Sequence, residues 1–171
     1  MSASEMSRMV KLRQIDGNPV AVEASEAERT ALAERFGIVV VERLAAQVTL
    51  EREGEEVAAS GRLQADIVQT CGVSGEDFPV RIDEPIALRF VPEIARTVVE
   101  EEIELEESEL DEIEYSGDAF DLGEAVAQSL GLAIDPYATG PNADSTRRDA
   151  GILEEGATGP LADALRALKK E

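Results

Sequence analysis

The chain has 171 residues, 43% hydrophobic but only 4% aromatic, so its core must consist mainly of Val, Ile, Leu and Ala. Its 16 basic and 37 acidic residues give a net charge of −21, which disfavours direct contact with nucleic-acid phosphates or anionic membranes. Histidine is absent, and the single cysteine, Cys71, cannot form an internal disulfide. With no long apolar run and no secretory signal, we expect a cytoplasmic protein without a membrane segment.

The N-terminal part of the chain is predicted to contain a short strand and one helix. The apolar residues that favour an opening strand are Val10, Leu12 and Ile15. Ser25 and Glu28 form a capping box, and Gly37 stands where a helix C-cap belongs, which predicts a helix over 26–36. The apolar stripe of this helix comprises Ala27, Ala31, Leu32 and Phe36.

A strand-rich segment follows, in which apolar and polar residues alternate. Two such runs, 44–51 and 57–67, flank the turn residues 53–55 and are predicted to pair as an antiparallel hairpin. After a turn over 72–77, a third strand holds Phe78, Val80 and Ile82 and is predicted to end at Pro85. A fourth strand holds Ile86, Leu88 and Phe90 and is predicted to end at Pro92.

Residues 97–146 contain fifteen acidic residues and no Lys or Arg. Parts of this block are predicted to be strand, around Ile103 and Leu105 and again around Ile113 and Tyr115. The block lacks the spacing of a calcium loop, so two interpretations stay open: a solvated face, or a docking surface for a basic partner. The candidate partner-binding residues are Glu100, Glu101, Glu102, Glu104, Glu106, Glu107, Glu109, Asp111, Glu112 and Glu114.

A second helix begins at Asp121, predicted as its N-cap, with Glu124 in the capping-box position. Its buried stripe is predicted to comprise Leu122, Val126 and Leu130. We expect an α+β domain over 1–136, with two main helices and a curved antiparallel sheet of about five to seven strands. Whether the sheet closes into a barrel does not follow from the sequence. Residues 137–160 are predicted as a flexible linker and 161–171 as a short amphipathic helix carrying Leu161, Leu165 and Leu168.

No combination of residues in the sequence indicates catalysis or cofactor binding. Cys71 has no histidine to act as its base, so we interpret it as a small, partly buried residue at a strand end. Phosphate-binding loops, dinucleotide-binding glycines and the nucleophile elbow are missing from the sequence. We therefore expect a binding protein without catalytic residues, cofactor or metal site.

The order of several short segments resembles the YceD family, also called the large ribosomal RNA subunit accumulation protein family. These segments are 69–80, 86–90, the acidic stretch, Asp121-Leu122-Gly123-Glu124 and Asp135-Pro136-Tyr137. The family features that map onto this chain are Cys71 and the helix start Asp121, Leu122 and Gly123. Some members carry further cysteines that suggest a metal, whereas this chain has only Cys71.

The resemblance implies a bacterial cytoplasmic protein, with relatives in plastids, that acts in accumulation of large-subunit ribosomal RNA. In many bacteria the family's gene lies beside one for a small basic ribosomal protein of the large subunit. Together with the net charge, this favours a non-catalytic factor that holds a basic ribosomal protein on its acidic segment and reaches RNA indirectly.

Two alternatives to this indirect mechanism stay open. One is a carboxylate-dependent enzyme of RNA processing, although no pair of acidic residues stands out by its spacing. The other is a direct binder of ribosomal RNA that uses a basic face hidden within the average charge. The residues that would form such a face are Arg62, Arg81, Arg89 and Arg96.

Overall fold

The computed structural model describes residues 4–93, 111–151, 164–165 and 167–168. A short 3-10 helix, Leu12–Gln14, follows the first strand. The strands are β1 (Met9–Lys11), β2 (Pro19–Glu23), β3 (Val40–Glu53), β4 (Glu56–Thr70), β5 (Asp77–Pro92), β6 (Asp111–Tyr115) and β7 (Ala119–Asp121). The helices are α1 (Glu26–Phe36), α2 (Leu122–Ala133) and α3 (Ala143–Asp149). The predicted α+β class is confirmed.

In the part of the chain that the structure describes, the main sheet has five strands in the order β2-β3-β4-β5-β6. β2, β3 and β4 pair antiparallel, whereas β6 runs parallel to β5. Among the described residues, β2 and β6 form two free edges, so the sheet is open and not a barrel. β1 and β7 form a separate antiparallel pair.

The predicted hairpin of β3 and β4 is confirmed. Its turn lies between Glu53 and Glu56, and Gly54 adopts the left-handed conformation there with φ +66°. The inward face of the hairpin is buried at every second residue because successive strand side chains point to opposite faces. The buried residues predicted from the alternation are Leu44, Ala46, Val48, Leu50, Val57, Ala59, Leu63, Ala65 and Ile67.

The prediction that Pro85 separates two strands is wrong. β5 is continuous from Asp77 to Pro92, with Phe78, Ile82, Ile86, Leu88 and Phe90 buried along it. The pairing with β6 begins only at Leu88, so this edge of β5 is unpaired at Pro85 among the described residues. Proline is tolerated within a strand at a position where no neighbouring strand needs an amide hydrogen.

The predicted span of α1 is confirmed, with Ser25 as N-cap and Gly37 at φ +65° as C-cap. The predicted stripe is wrong at Ala27, which is exposed, while Ala33 is buried beside Leu32. The buried residues of the helix lie in its second half, and the residues of its first turn are exposed or half-buried.

The predicted α2 is also confirmed, and Asp121 accepts a hydrogen bond from the amide of Glu124. The capping-box role of Glu124 is wrong, because its carboxylate bonds Ser4 and Arg35 instead. The predicted stripe, Leu122, Val126 and Leu130, is at most 1% exposed.

The opening strand is shorter than predicted. Only Val10 lies in β1, whereas Leu12 begins the 3-10 helix and Ile15 follows it. The partner strand β7 has three residues, so the ladder ends at Lys11 opposite Ala119. The length of a strand pair depends on the partner strand, which is distant in sequence here, so the alternation of residues within β1 does not predict it.

The chain divides into two compact units, one formed by Met1–Gln69 with Pro79–Pro136 and the other by Thr70–Phe78 with Tyr137–Glu171. In the second unit, Asn142 bonds Glu76, and α3 lies inside the segment 137–160 predicted as a linker. Residues 164–165 and 167–168 are helical, with Leu165 and Leu168 exposed. Among the described residues, no helix is long and apolar enough to cross a bilayer.

Candidate functional site: the acidic sheet edge

The described part of the predicted docking segment forms the last strand of the main sheet. Its exposed carboxylates, Asp111, Glu112 and Glu114, are called here the acidic sheet edge. β6 pairs with residues 88–92 of β5 and is an edge strand among the described residues, and the three carboxylates on it are exposed. The other predicted partner-binding residues, Glu100, Glu101, Glu102, Glu104, Glu106, Glu107 and Glu109, lie outside the described residues.

Tyr115 anchors the acidic sheet edge to the rest of the sheet. Its ring is 7% exposed and lies 6.0 Å from the ring of Phe120, which itself stacks on Phe90 at 4.1 Å. Burial raises the pKa of Tyr115, so its hydroxyl keeps its proton and donates to the carbonyl oxygen of Glu55. Because side chains alternate along a strand, this anchor places Glu112 and Glu114 on the opposite face.

Three of the four arginines that would form a basic face are described, and each of the three is paired with a carboxylate. Arg81 lies 3.0 Å from Asp66, and Arg62 pairs with Asp83 and lowers the pKa of that carboxyl. Arg89 lies 3.7 Å from Glu56, while the predicted fourth member, Arg96, lies outside the described residues. Each of these three described arginines therefore has a carboxylate beside it, which weakens its attraction for a phosphate.

A second set of ion pairs joins the N-terminal segment to the two helices. Arg8 binds both carboxylate oxygens of Glu28, at 2.7 and 2.9 Å. This pairing lowers the pKa of Glu28 to about 2. Arg35 of α1 binds Glu124 of α2 at 2.9 Å and also reaches Glu5. Sequence reasoning missed these pairs because up to 120 residues separate bonded members of the cluster, as in the bond from Ser4 to Glu124.

The structure shows packing and helix-capping roles for the motif residues Asp121, Leu122 and Gly123. Asp121 Oδ1 accepts hydrogen bonds from the amides of Arg8 and Glu124, so one carboxylate both caps α2 and holds the N-terminal segment. Leu122 is fully buried in the core. At Gly123, a Cβ would lie 2.7 Å from the Arg8 nitrogen and 2.8 Å from the Met6 carbonyl oxygen.

Cys71 lies in the turn after β4 and is 1% exposed. Its amide donates to the Glu76 carbonyl, its carbonyl accepts from Gly75, and its sulfur accepts from the Ser74 amide at 3.4 Å. Hydrogen bonds from the Ser74 side chain and from the Ser74 and Gly140 amides lower the pKa of Cys71 to about 6. These bonds close the turn over 71–76, in keeping with the predicted location of Cys71 at a strand end.

Clusters that would support metal-dependent hydrolysis are not found in the described part of the chain. Within residues 4–93 and 111–151, no group of three or more His, Cys, Asp or Glu side chains is arranged to hold a metal ion. Asp111, Glu112 and Glu114 follow one another along one strand, and alternation divides them between its two faces.

These features define an α+β protein with an open sheet that carries carboxylates on one edge. The family model described as large ribosomal RNA subunit accumulation protein YceD matches residues 59–164, more than half of the chain. The chain therefore belongs to the YceD family, as its motifs predict. No curated protein and no solved structure matches it significantly.

Proposed function

We propose that this protein supports accumulation of large-subunit ribosomal RNA as a non-catalytic factor that holds a basic ribosomal protein on its acidic sheet edge. The family description supports the ribosomal part of the proposal. A protein of charge −21 attracts a basic protein electrostatically and speeds their encounter. Contact with the RNA is then indirect.

The observation that carries this proposal is the unequal distribution of charge over the described residues. Three arginines of the predicted basic face, Arg62, Arg81 and Arg89, pair with neighbouring carboxylates. Asp111 and Glu112 make no ion pair with any described residue. The acidic sheet edge thus exposes carboxylates, whereas these three arginines are paired, and with the net charge of −21 this favours a cationic partner over a phosphate backbone.

A pull-down of purified large-subunit proteins at rising salt concentration tests the proposal. We expect a basic protein to be retained at low salt and released at high salt, because exposed charge pairs are screened. The triple variant Asp111→Asn, Glu112→Gln, Glu114→Gln should weaken retention about fivefold to tenfold. The matched control, Glu34→Gln, Glu51→Gln, Glu53→Gln, removes the same charge from exposed residues elsewhere and should weaken it less.

Two outcomes would overturn the proposal. If no large-subunit protein is retained at low salt, the acidic surface has no ribosomal partner. If the purified protein binds naked large-subunit RNA selectively at physiological ionic strength, contact is direct and the charge argument fails.

A further inference from the structure

Residues 4–8, called here the strap, precede β1 and contact both main helices. The Glu5 carboxylate accepts a hydrogen bond from Arg35 of α1 at 2.9 Å, and the Ser4 hydroxyl donates to Glu124 of α2 at 2.6 Å. Arg35 also bonds Glu124 at 2.9 Å. The strap therefore closes a ring of side-chain contacts that joins α1 to α2.

Met6 and Arg8 are the residues of the strap that the fold holds most closely. Met6 is 0% exposed and belongs to the core, Ser7 is exposed, and Arg8 is half-buried. Arg8 donates to both carboxylate oxygens of Glu28, at 2.7 and 2.9 Å, and to the Glu23 carbonyl oxygen at 2.9 Å. The surface under the strap thus accepts an apolar side chain and, two residues later, an arginine.

The side chains that hold the strap carry mainly negative charge. Glu28, Asp121 and Glu124 each accept a hydrogen bond from it, with Arg35 as a cation beside them. A Cβ on Gly123 would meet the strap backbone at 2.7 to 2.9 Å, so the absent side chain leaves room for another main chain. These three carboxylates, Gly123 and the core surface that Met6 covers are called here the cradle. Its charge favours a cationic segment.

Few backbone hydrogen bonds hold the strap in the cradle. Among the described residues, one backbone–backbone hydrogen bond joins it to another segment, from the Leu122 amide to the Arg8 carbonyl oxygen at 3.0 Å. The pairing of β1 with β7 starts at Met9, after the strap. Segments with few backbone hydrogen bonds open locally at a lower free energy than global unfolding. We therefore expect the strap to leave the cradle while the sheet and the helices stay folded.

We propose that the strap is an internal occupant of a partner-binding site, and that a segment of the basic partner replaces it in the cradle. The partner segment carries an apolar residue two positions before an arginine, as the strap does. This inference rests on the proposed function, because it adds a second contact through which the basic partner is held. The strap lowers the apparent affinity of the partner by the fraction of molecules in which it fills the cradle.

Hydrogen exchange of the full wild-type chain tests whether the strap opens. The Leu122 amide should exchange about tenfold faster than the hydrogen-bonded amides of β3 and β4, because local opening releases it from the Arg8 carbonyl oxygen. Low concentrations of urea should hardly change its rate, since little surface is exposed in that opening. Exchange of Leu122 that occurs only through global unfolding overturns the inference, because the cradle would then never be free.

A capped peptide with the sequence of residues 4–9 tests whether the cradle accepts a separate segment. Its single Glu and single Arg give it no net charge, so the general acidity of the protein does not attract it. In fluorescence polarisation it should bind the variant Met6→Ala, Arg8→Ala about tenfold more tightly than the wild-type protein, whose own strap competes. Met6→Ala alone should give a smaller change in the same direction. A scrambled peptide of the same composition should not distinguish the proteins.

The pull-down of large-subunit proteins then tests the partner. The variant Met6→Ala, Arg8→Ala should retain the basic protein about fivefold more tightly than the wild-type protein. The control, Arg13→Ala, also removes one positive charge, from an exposed residue outside the strap, and should change retention by less than about twofold.

The outcomes distinguish this inference from the proposed function. Equal retention by the strap variant and the wild-type protein, or equal peptide binding by the two, overturns the role of the cradle and leaves the acidic sheet edge as the carrier. Failure to retain any large-subunit protein at low salt overturns both. Sedimentation that shows a dimer of the strap variant means that straps exchange between copies, and this also overturns the inference.

Discussion

At two glycines, the backbone of another segment occupies the space that a side chain would need. A Cβ on Gly61 of β4 would lie 1.9 Å from the carbonyl oxygen of Gln47, across the ladder from β3. A Cβ on Gly123 would meet the backbone of residues 6–8 at 2.7 to 2.9 Å. Neither glycine has a positive φ, so close approach explains them better than backbone conformation.

We predict that Gly123→Ala lowers the free energy of unfolding by about 1–3 kcal/mol, the usual cost of overpacking. The blocking atoms are backbone atoms of the N-terminal segment, which cannot move aside as a flexible side chain would. Urea denaturation measures the change. Gly72→Ala is the control, since a Cβ at Gly72 would have nothing within 4 Å and the φ of this glycine is not positive.

Equal stability of the Gly123→Ala protein and the wild-type protein would show that the N-terminal segment leaves the start of α2 at little cost. The residues that hold it there are Asp121, which accepts from the Arg8 amide, and Leu122, whose amide donates to the Arg8 carbonyl. A loss limited to the control would contradict the role of close packing.

At the scale of secondary-structure elements, α1 is held to the N-terminal segment by a cluster of charge-assisted hydrogen bonds. Glu28 accepts from both terminal nitrogens of Arg8 and from the Ser25 amide at 2.7 Å. The same carboxylate therefore completes the capping box of α1 and neutralises Arg8. One residue joins helix initiation to tertiary packing.

We predict that Glu28→Gln lowers the free energy of unfolding at pH 7 by about 1–2 kcal/mol, with allowance for partial exposure. The pKa of Glu28 is lowered from 4.5 to about 2, so its stabilisation is complete above pH 4.5 and is lost towards pH 2. The difference between the wild-type and variant proteins should therefore shrink over that interval. Chemical denaturation at several pH values measures it.

Glu34→Gln serves as the control because Glu34 is exposed on the same helix. It should leave the free energy of unfolding nearly unchanged at every pH. A difference between wild-type and Glu28→Gln proteins that grows as the pH falls would contradict the assignment of the lowered pKa to the Arg8 pair.

At the scale of the whole molecule, net charge opposes folding even though local pairs favour it. The charge of −21 repels itself in the compact state, and the ion pairs of the described residues offset only part of that repulsion. The same excess of charge that we propose to attract a basic partner thus lowers stability.

We predict that the melting temperature rises by about 2–4 °C when the ionic strength is raised from about 0.01 to 0.1 M, as the Debye length falls from about 30 to 10 Å. Calorimetry measures the change. NaCl and KCl should act alike, because screening depends on ionic strength. A falling melting temperature would mean that the ion pairs contribute more than the overall repulsion.

Much of the fold was predictable wherever one strong local pattern decides the structure. The hairpin of β3 and β4 follows from alternation and a glycine turn, and α1 follows from the caps Ser25 and Gly37. The predicted strand break at Pro85 was wrong. Proline interrupts a strand only where a neighbouring strand needs an amide hydrogen at that position, and the local sequence does not show this. The parallel pairing of β6 with β5 was not predicted, since it joins segments about 20 residues apart.

The sequence by itself determined the acidity, the missing histidines, the family and the approximate positions of the main helices and strands. Composition adds up residue by residue, and caps and alternation act over a few neighbours, so these properties need no long-range contact. Only the tertiary structure decided that Arg62, Arg81 and Arg89 are paired with carboxylates, and that residues 4–8 bond both main helices. Such relations depend on distances between strands and helices, which the order of residues does not specify locally.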